Sequence, residues 1–287
     1  GSDSTSNAAV ALPNKAVHAL APLAFGKAKG MQDYLGVLSQ LMPITDILPA
    51  MPKIAERTTG EVMGESAEKM ARRNGVTRQE QDALAARSHR LAAAAVSSGR
   101  FESEVIPVET SKGWVHADTI IRGDTSEEKL AKLRPVFAKD GTVTAGNATP
   151  LTDGASCILL MSEEKAEALG FTGLAAFRSW SYVGVDPTDQ LLIGPAIAMP
   201  RALERAGLEL GDVDLVDIHE AFAAQVLSTL KAWEDPDYCK DVLGRDAAMG
   251  AIDRTKLNPK GSSLAYGHPF AATGARILGL AAKQLAT

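Results

Sequence analysis

Cysteine is scarce in this sequence. Cys157 and Cys239 are its two thiols, and neither stands in a CxxC or other metal-ligand spacing. A reducing compartment is the simpler setting for such a chain. Long hydrophobic runs are missing too: no stretch reaches the roughly 18 apolar residues of a membrane-spanning helix. The opening GSDSTSNAAV has no basic region leading into an apolar one, so it does not read as a secretory signal. Basic tracts are also absent. The 30 Lys and Arg are dispersed among 35 Asp and Glu, for a net charge of -5, which argues against a nucleic-acid partner. No GxSxG segment occurs, so the sequence offers no serine elbow for nucleophilic catalysis.

What is present is a chain of 287 residues that is 45% hydrophobic, enough for one large core or two ordinary ones and too apolar for a disordered protein. The first sixty residues read as irregular, apolar and interrupted by Pro22, Pro43, Pro49 and Pro52. Within them YLGVLSQLM suits a short amphipathic helix. The apolar stretch 18–52 suits a greasy ligand, a partner or a membrane surface, with packing against its own domain as the plainer alternative. From Glu61 the pattern turns helical. GESAEKMARRNG reads as a helix ending near Gly75. In the next segment Thr77 and Glu80 form a capping box, Leu84, Ser88, Leu91 and Ala95 make one stripe, and Gly99 stops the helix. His89, one position off that stripe, reads as structural. EVIPVET and GWVHAD read as two short strands with a turn between them, with His116 at the surface.

The second half alternates strands and helices. SCILLM reads as a buried strand, followed by a helix capped by Ser162, favoured by Glu163 and Glu164 at its positive end, and closed by Gly170. LAAFRSWSYVG reads as a strand, GPAIAMPRALERAGL as a helix containing Pro200, DVDLVDI as a buried strand and HEAFAAQVLSTLKAW as a helix. The last helix carries one charge in its row Ala272, Arg276, Leu280. It is expected to be covered on most sides and central to a layered α/β domain.

Two histidines stand where chemistry is plausible. His219 ends a strand and opens a helix, and His268 sits between Gly267 and Pro269 at the mouth of the last helix. Open α/β sheets gather ligands at the carboxyl ends of strands, and helix N-termini there offer N–H groups to an oxyanion. A lone histidine near a helix start is more often a cap or surface residue, and Glu220 fits a ring-orienting role or a cap equally well. Acyl transfer suits a pair of histidines, because it needs a base for a nucleophile and donors for the developing oxyanion. Cys157, inside a buried strand, reads as inert, and Cys239 lies in a loop with no adjacent histidine. The residues therefore supply a base and an oxyanion donor but no nucleophile.

Several blocks carry a resemblance. GHPFAATGAR resembles the histidine block of the thiolases, and HEAFAAQ their Asn/His–Glu–Ala–Phe block. GTVTAGNATPLTDGA resembles their central Thr–Ala–Gly–Asn–Ala–Ser block. VMGESAEKMA, TRQEQDALAARSH and GSDSTSNA resemble segments of their loop domain and its start. The subclass most similar is the thiolase (β) subunit of the fatty-acid β-oxidation trifunctional complex, on three features: His219 in place of the Asn of biosynthetic thiolases, the wording of the last block, and the apolar insertion before Pro52.

The resemblance implies an α/β, layered α-β-α thiolase fold with a large loop domain, incomplete at both ends. Residues 1–8 would end the N-terminal half, 9–135 form the loop domain, 136–170 return to the N-terminal half, and 171–287 make a truncated C-terminal half. It implies that His268 activates a cysteine and donates to the thioester oxygen. His219 would hold a water completing that oxyanion hole, supported by Glu220. Met63, Ala145, Thr149 and Phe222 would lie along the pantetheine arm of coenzyme A, and Asn147 and Asp153 would fix loops. Gly261–Ser262 departs mildly from the usual Gly-Gly, and Pro150 from the usual glycine.

The activity implied is thiolysis of medium- or long-chain 3-ketoacyl-CoA, with coenzyme A as co-substrate and no permanently bound cofactor or metal. The alternatives are an acetoacetyl-CoA thiolase, a related carrier-protein condensing enzyme, and a non-catalytic thiolase-like CoA- or lipid-binding protein. Both catalytic cysteines of the family are expected outside this stretch, so the 287 residues alone are expected to be inactive. A homodimer, a hydratase/dehydrogenase α subunit and peripheral membrane contact are the partners implied. The location implied is cytoplasmic in a bacterium and mitochondrial in a eukaryote.

Overall fold

The computed structural model of the chain describes residues 1–7, 11–49 and 54–287. These divide into two compact units, Ser4–Ile54 and Gly1–Asp3 with Ala55–Thr287. The first strand, β1 (Ser2–Ser4), precedes the helices of the smaller unit.

In that unit α1 (Asn14–Ala24) and α2 (Met31–Gln40) pack on each other through Ala16, Ala19 and Val37, followed by a 3-10 turn at Ile44–Ile47. Asp33 caps α2 by accepting from the amides of Lys29 (2.9 Å) and Gly30 (3.0 Å). Lys15 donates to Asp46 (2.7 Å) and to the Met42 carbonyl (3.0 Å), tying the turn to α1. The amphipathic helix expected around 34–42 is α2. Helix α1 corrects the irregular reading of the first sixty residues. Pro22 falls in its last turn, where it withholds one N–H while its carbonyl still accepts from Lys27 (2.7 Å) and Ala28 (3.0 Å). Phe25 and Met31 are each 76% exposed.

The larger unit begins with α3 (Met63–Arg73), whose chain reverses at Gly75 with φ +58°, and α4 (Arg78–Ser97). The capping box is present as read: the Glu80 amide donates to Thr77 Oγ1 (3.2 Å) and the Thr77 amide to Glu80 Oε2 (2.6 Å). Strands β2 (Val108–Thr110) and β3 (Gly113–Val115) form the expected hairpin, exposed throughout, with His116 beside it at the surface. A single turn, α5 (Glu127–Leu130), precedes β4 (Asp153–Ala155), which pairs with β1. Next come α6 (Glu163–Leu169), capped by Ser162 and closed by left-handed Gly170, and α7 (Gly194–Ala206), with Pro200 in its interior.

Helix α8 (Ala223–Glu234) is the centre of the unit, with every residue buried except Lys231 and Glu234. It packs on α3, α4 and α7. Trp233, 1% exposed, donates from its indole N–H to the Ala196 carbonyl at 3.0 Å. That bond satisfies the one polar atom of a ring that buries more apolar area than any other side chain type. Helices α9 (Pro236–Asp241), α10 (Ser263–Tyr266) and α11 (Phe270–Ala286) complete the chain.

Two expectations fail here. SCILLM and LAAFRSWSYVG form no strand or ladder among the described residues, and Leu159, Leu160, Trp180 and Tyr182 stand exposed. A strand makes no hydrogen bonds within itself and exists only through a neighbour. DVDLVDI fares better, with one parallel bridge between Val216 and Leu257. The last helix is also less covered than its composition suggests. Of α11 only Ala272, Thr273 and Leu280 are buried, while Leu278 and Leu285 are exposed. The covered helix is α8.

Candidate active site

A short extended segment, 147–151, gathers the site. On one side it pairs with the start of α8: the Thr149 amide donates to the Ala221 carbonyl and the Ala223 amide to the Asn147 carbonyl, both at 2.9 Å. On the other, the His268 amide donates to the Pro150 carbonyl at 3.0 Å, and Leu151 bridges His268 in parallel. Asn147 anchors the segment as expected of a loop-fixing residue. Its Oδ1 accepts from the Thr144 amide (2.7 Å), and its Nδ2 donates to Asp82 (2.9 Å) and the Thr142 carbonyl (3.1 Å). The blocks HEAF and GHPF are thereby laid on opposite edges of one strand-like piece.

The result is contact between the two histidines. The rings of His219 and His268 lie 4.2 Å apart, centroid to centroid, inclined at 48°. Phe270 lies edge to face against His268, with ring centroids 4.8 Å apart. His268 Nδ1 is 2.7 Å from Thr273 Oγ1, and His219 Nδ1 is 2.7 Å from Ser263 Oγ. His219 Nε2 is buried and has no hydrogen-bond partner among the described residues. The loop that delivers His268 requires glycine at 267. There φ is +82°, and a Cβ would come within 2.8 Å of Thr152 and Ile120 side-chain atoms.

Burial dominates the electrostatics. His219 is pushed down to about 3, first by desolvation, then by His268 and by the Arg276 guanidinium. His268 is lowered by desolvation and Arg276, with Asp3 opposing. Both rings are therefore neutral at pH 7, one lone pair and one N–H each. Arg276 donates from Nη2 to Ser263 Oγ at 2.6 Å and lies over the Tyr266 ring, 5.4 Å from its centroid. Asp217 is raised to about 7 by burial, against the pull of Arg276.

Glu220 is fully buried but does not hold a histidine. Its hydrogen bonds come from Ser88 Oγ (2.6 Å), Asn258 Nδ2 (2.8 Å) and the Leu264 amide (3.3 Å), so it ties α4, the 258 loop and α10 together behind the site. Burial raises its pKa, and those three donors work against the rise. Asn258 completes the clamp, accepting from the Ile218 amide (2.8 Å) and donating to the Ile218 carbonyl (3.0 Å). The support that Glu220 gives to His219 is thus by backbone position.

Of the residues matched to the pantetheine arm, Thr149 spends its hydroxyl on the Ser263 carbonyl (2.6 Å), and Phe222 is buried edge to face against Phe137 at 6.1 Å. Met63 is half-buried at the start of α3, and Ala145 is exposed. His89 is structural as read, accepting from the Arg122 amide at 3.2 Å. Cys157 is exposed, not in a buried strand. Cys239 is buried in α9, its thiol against the carbonyls of Ala232 (3.6 Å) and Trp233 (3.5 Å). Neither thiol is hydrogen-bonded to a histidine among the described residues. No group of three or more His, Cys, Asp or Glu stands ready for a metal ion among those residues. Sequence reasoning missed Ser263, Thr273, Asn258 and the part played by Arg276. The one available signal was that Arg276 is the sole charge in an otherwise small or apolar helix row.

Both halves of the chain match known proteins. The thiolase N-terminal domain model matches residues 41–164 and the thiolase C-terminal domain model residues 171–287. A 3-ketoacyl-CoA thiolase of Photobacterium profundum is 46% identical over 288 residues, covering 99% of this chain and 65% of that protein. One from Aliivibrio fischeri is 46% identical over 281 residues, covering 97% of the chain and 63% of that protein. Among solved structures, the acetyl-CoA acetyltransferase of Bacillus anthracis superposes with a TM-score of 0.70 at 40% identity, over 81% of this chain and 55% of that one. That of Syntrophomonas wolfei gives 0.69 at 36% identity, over 81% and 56%. The chain spans 63 to 65% of the length of the curated relatives it matches here. Its layered α/β architecture is theirs, and with both domain models matched in order, this chain belongs to the thiolase family.

Proposed function

We propose that this chain carries the histidine pair of an acetyl-CoA C-acyltransferase, a 3-ketoacyl-CoA thiolase that cleaves medium- and long-chain substrates in fatty-acid β-oxidation. The observation that supports this reading above all is the 4.2 Å approach of His219 and His268, both neutral, with a buried ring nitrogen left unpaired. A neutral imidazole at 268 takes the proton of a thiol, and the thiolate adds to the C3 carbonyl carbon of the substrate. The negative charge that develops on the carbonyl oxygen is met by N–H donors, His219 among them, directly or through water. The C2–C3 bond then breaks, C2 takes a proton, and acetyl-CoA leaves. A second coenzyme A thiol accepts the acyl group and returns the enzyme thiol.

Neither Cys157 nor Cys239 suits the nucleophile's role: the first is exposed, the second packed in a helix, and neither is bonded to an imidazole. We therefore assign that thiol to polypeptide other than these 287 residues, which alone do not run thiolysis. Coenzyme A is the co-substrate, with no resident cofactor. Of the four residues matched to its arm, Ala145 remains the exposed one, while Thr149 and Phe222 act from behind by holding Ser263 and the core.

The exposed Phe25 and Met31 support a role for the 18–52 region in contacting a partner such as a hydratase/dehydrogenase α subunit, or a membrane surface. No helix among the described residues is long and apolar enough to cross a membrane. We place the enzyme as a homodimer, cytoplasmic in a bacterium or mitochondrial in a eukaryote.

The test is His268→Ala in the full-length parent, followed by rapid-quench measurement of acyl-enzyme. A fall of at least about 100-fold with an intact fold is expected for loss of a general base, and unchanged acylation refutes the assignment. Deleting part of residues 18–52 should weaken long-chain turnover or α-subunit attachment more than short-chain thiolysis. Equal kinetics on all chain lengths with intact co-purification would rule out that role for residues 18–52. Acyl-CoA binding with no turnover by the full-length parent would mark a binding protein.

A further inference from the structure

We propose that Arg276 is a positioning residue: through the hydroxyl of Ser263 it fixes His219 in the tautomer that carries its proton on Nε2. The proposal deepens the reading above, since it concerns the same histidine pair and gives one of its donors a cause.

A guanidinium only donates hydrogen bonds. With Arg276 Nη2 at 2.6 Å, Ser263 Oγ must be the acceptor in that pair. Its own proton then needs a different acceptor. Ser263 is fully buried, and the other side-chain contact of its hydroxyl among the described residues is His219 Nδ1 at 2.7 Å. The hydroxyl donates there, so Nδ1 holds a lone pair and the ring proton of neutral His219 sits on Nε2. That nitrogen is the one buried without a protein partner, in the ring that faces His268 at 4.2 Å. The arrangement converts a permanent positive charge, two hydrogen bonds away, into an N–H on the buried Nε2.

The reverse case shows what the arginine contributes. Without a donor at 276, the serine hydroxyl is free to turn and accept a proton from Nδ1. His219 would then present a lone pair at Nε2, an acceptor where a directly bound oxyanion needs a donor. Arg276 is itself held for this task by the Tyr266 face, whose phenol donates to the Lys260 carbonyl. Thr149 holds the other end of Ser263 by donating to its carbonyl at 2.6 Å. Burial and the nearby guanidinium also disfavour a doubly protonated ring, in keeping with the low pKa of His219.

The test is long-range ¹H–¹⁵N correlation NMR of the imidazole rings in the uniformly labelled chain at neutral pH, with His219 assigned by its loss in His219→Gln. The wild-type ring should show a protonated Nε2 and an unprotonated Nδ1. Ser263→Ala and Arg276→Met should each collapse this into averaged nitrogen shifts, and Arg276→Lys, which keeps a donor, should restore the single form. His268 should keep its pattern throughout. If Arg276→Met does not fold, Ser263→Ala removes the same hydroxyl without disturbing a buried charge and decides alone. An Nδ1–H ring in the wild type overturns the proposal, and so does an Nε2–H ring that survives loss of the serine hydroxyl. The readout needs no substrate. An Nε2–H ring in a parent enzyme lacking thiolytic activity overturns the functional reading only, whereas an Nδ1–H ring in an active enzyme overturns this proposal only.

Discussion

Replacing Asn258 by alanine should damage this protein more than any single change at the histidines. Asn258 is completely buried, and its side chain accepts from the Ile218 amide at 2.8 Å and donates to the Ile218 carbonyl and to Glu220 Oε1 at 3.0 and 2.8 Å. It is also the one non-glycine residue with positive φ, +44°, among the described residues. Truncation leaves the Ile218 N–H without an acceptor and Glu220 Oε1 without its donor, each worth about 1–3 kcal/mol when buried. The Ile218 carbonyl keeps Ser262 Oγ at 3.2 Å and adds nothing. Alanine in a left-handed conformation costs a further 1–2 kcal/mol or so, which asparagine largely avoids. The total, about 3–8 kcal/mol, is comparable with the roughly 5–15 kcal/mol that holds an ordinary domain together. With a urea m-value on the order of 2 kcal/mol per molar, the midpoint should fall by more than about 1 M. Circular dichroism across a urea series measures it, with native-state exchange at the Ile218 amide as a local check. Asn258→Gly should recover about 1 kcal/mol relative to alanine, because glycine accepts the positive φ. A loss below about 1 kcal/mol for alanine, or no difference between alanine and glycine, would refute the clamp.

Two further outcomes are expected. Asp217 is raised to about 7 by burial, so between about pH 4 and 7 the folded state holds a proton that the unfolded chain has released. Its contribution to stability is therefore complete at low pH and declines as pH rises through that window, by up to about 4 kcal/mol. Asp217→Asn should flatten that part of the urea-midpoint profile, and an unchanged slope would exclude Asp217 as its source. Gly261→Ala should cost at least about 2 kcal/mol. Its φ is +76°, and the added Cβ would meet the Ser88 carbonyl oxygen at 2.5 Å. A urea midpoint within error of wild type would show that α4 yields at that point.

Local features of the fold were readable from the sequence because their causes are local. Thr77 and Glu80 announce a helix start within four residues, Ser162 and Gly170 bracket another, and Asn147 fixes its own loop as expected. His268 was legible for a related reason, since it adjoins the start of α11, where backbone N–H groups are unsatisfied, whereas His219 lies three residues ahead of Phe222, which caps α8. Glu220 was not. Its partners Ser88 and Asn258 lie 132 and 38 residues away, and nothing near position 220 indicates them. The runs 156–161 and 174–184 show the opposite limit: β-branched and aromatic composition marks them as strand material, but a ladder depends on a second segment lying alongside. Helix α1 was hidden by a proline that the structure accommodates in the final turn.

The Glu220 clamp also bears on when the histidine pair can come together. A carboxylate that must meet residues 132 positions earlier and 44 later is satisfied only by joining remote parts of the polypeptide, and closing such loops is slow. On the ribosome, α4 and α8 can dock before the residues around Leu264 emerge. Until then the acid lies uncapped and the two imidazoles have no common wall. Meeting of the histidine pair is therefore expected to trail assembly of the core, leaving a window in which a chaperone, or a protease, meets a nascent chain that is compact while its two imidazoles are still apart.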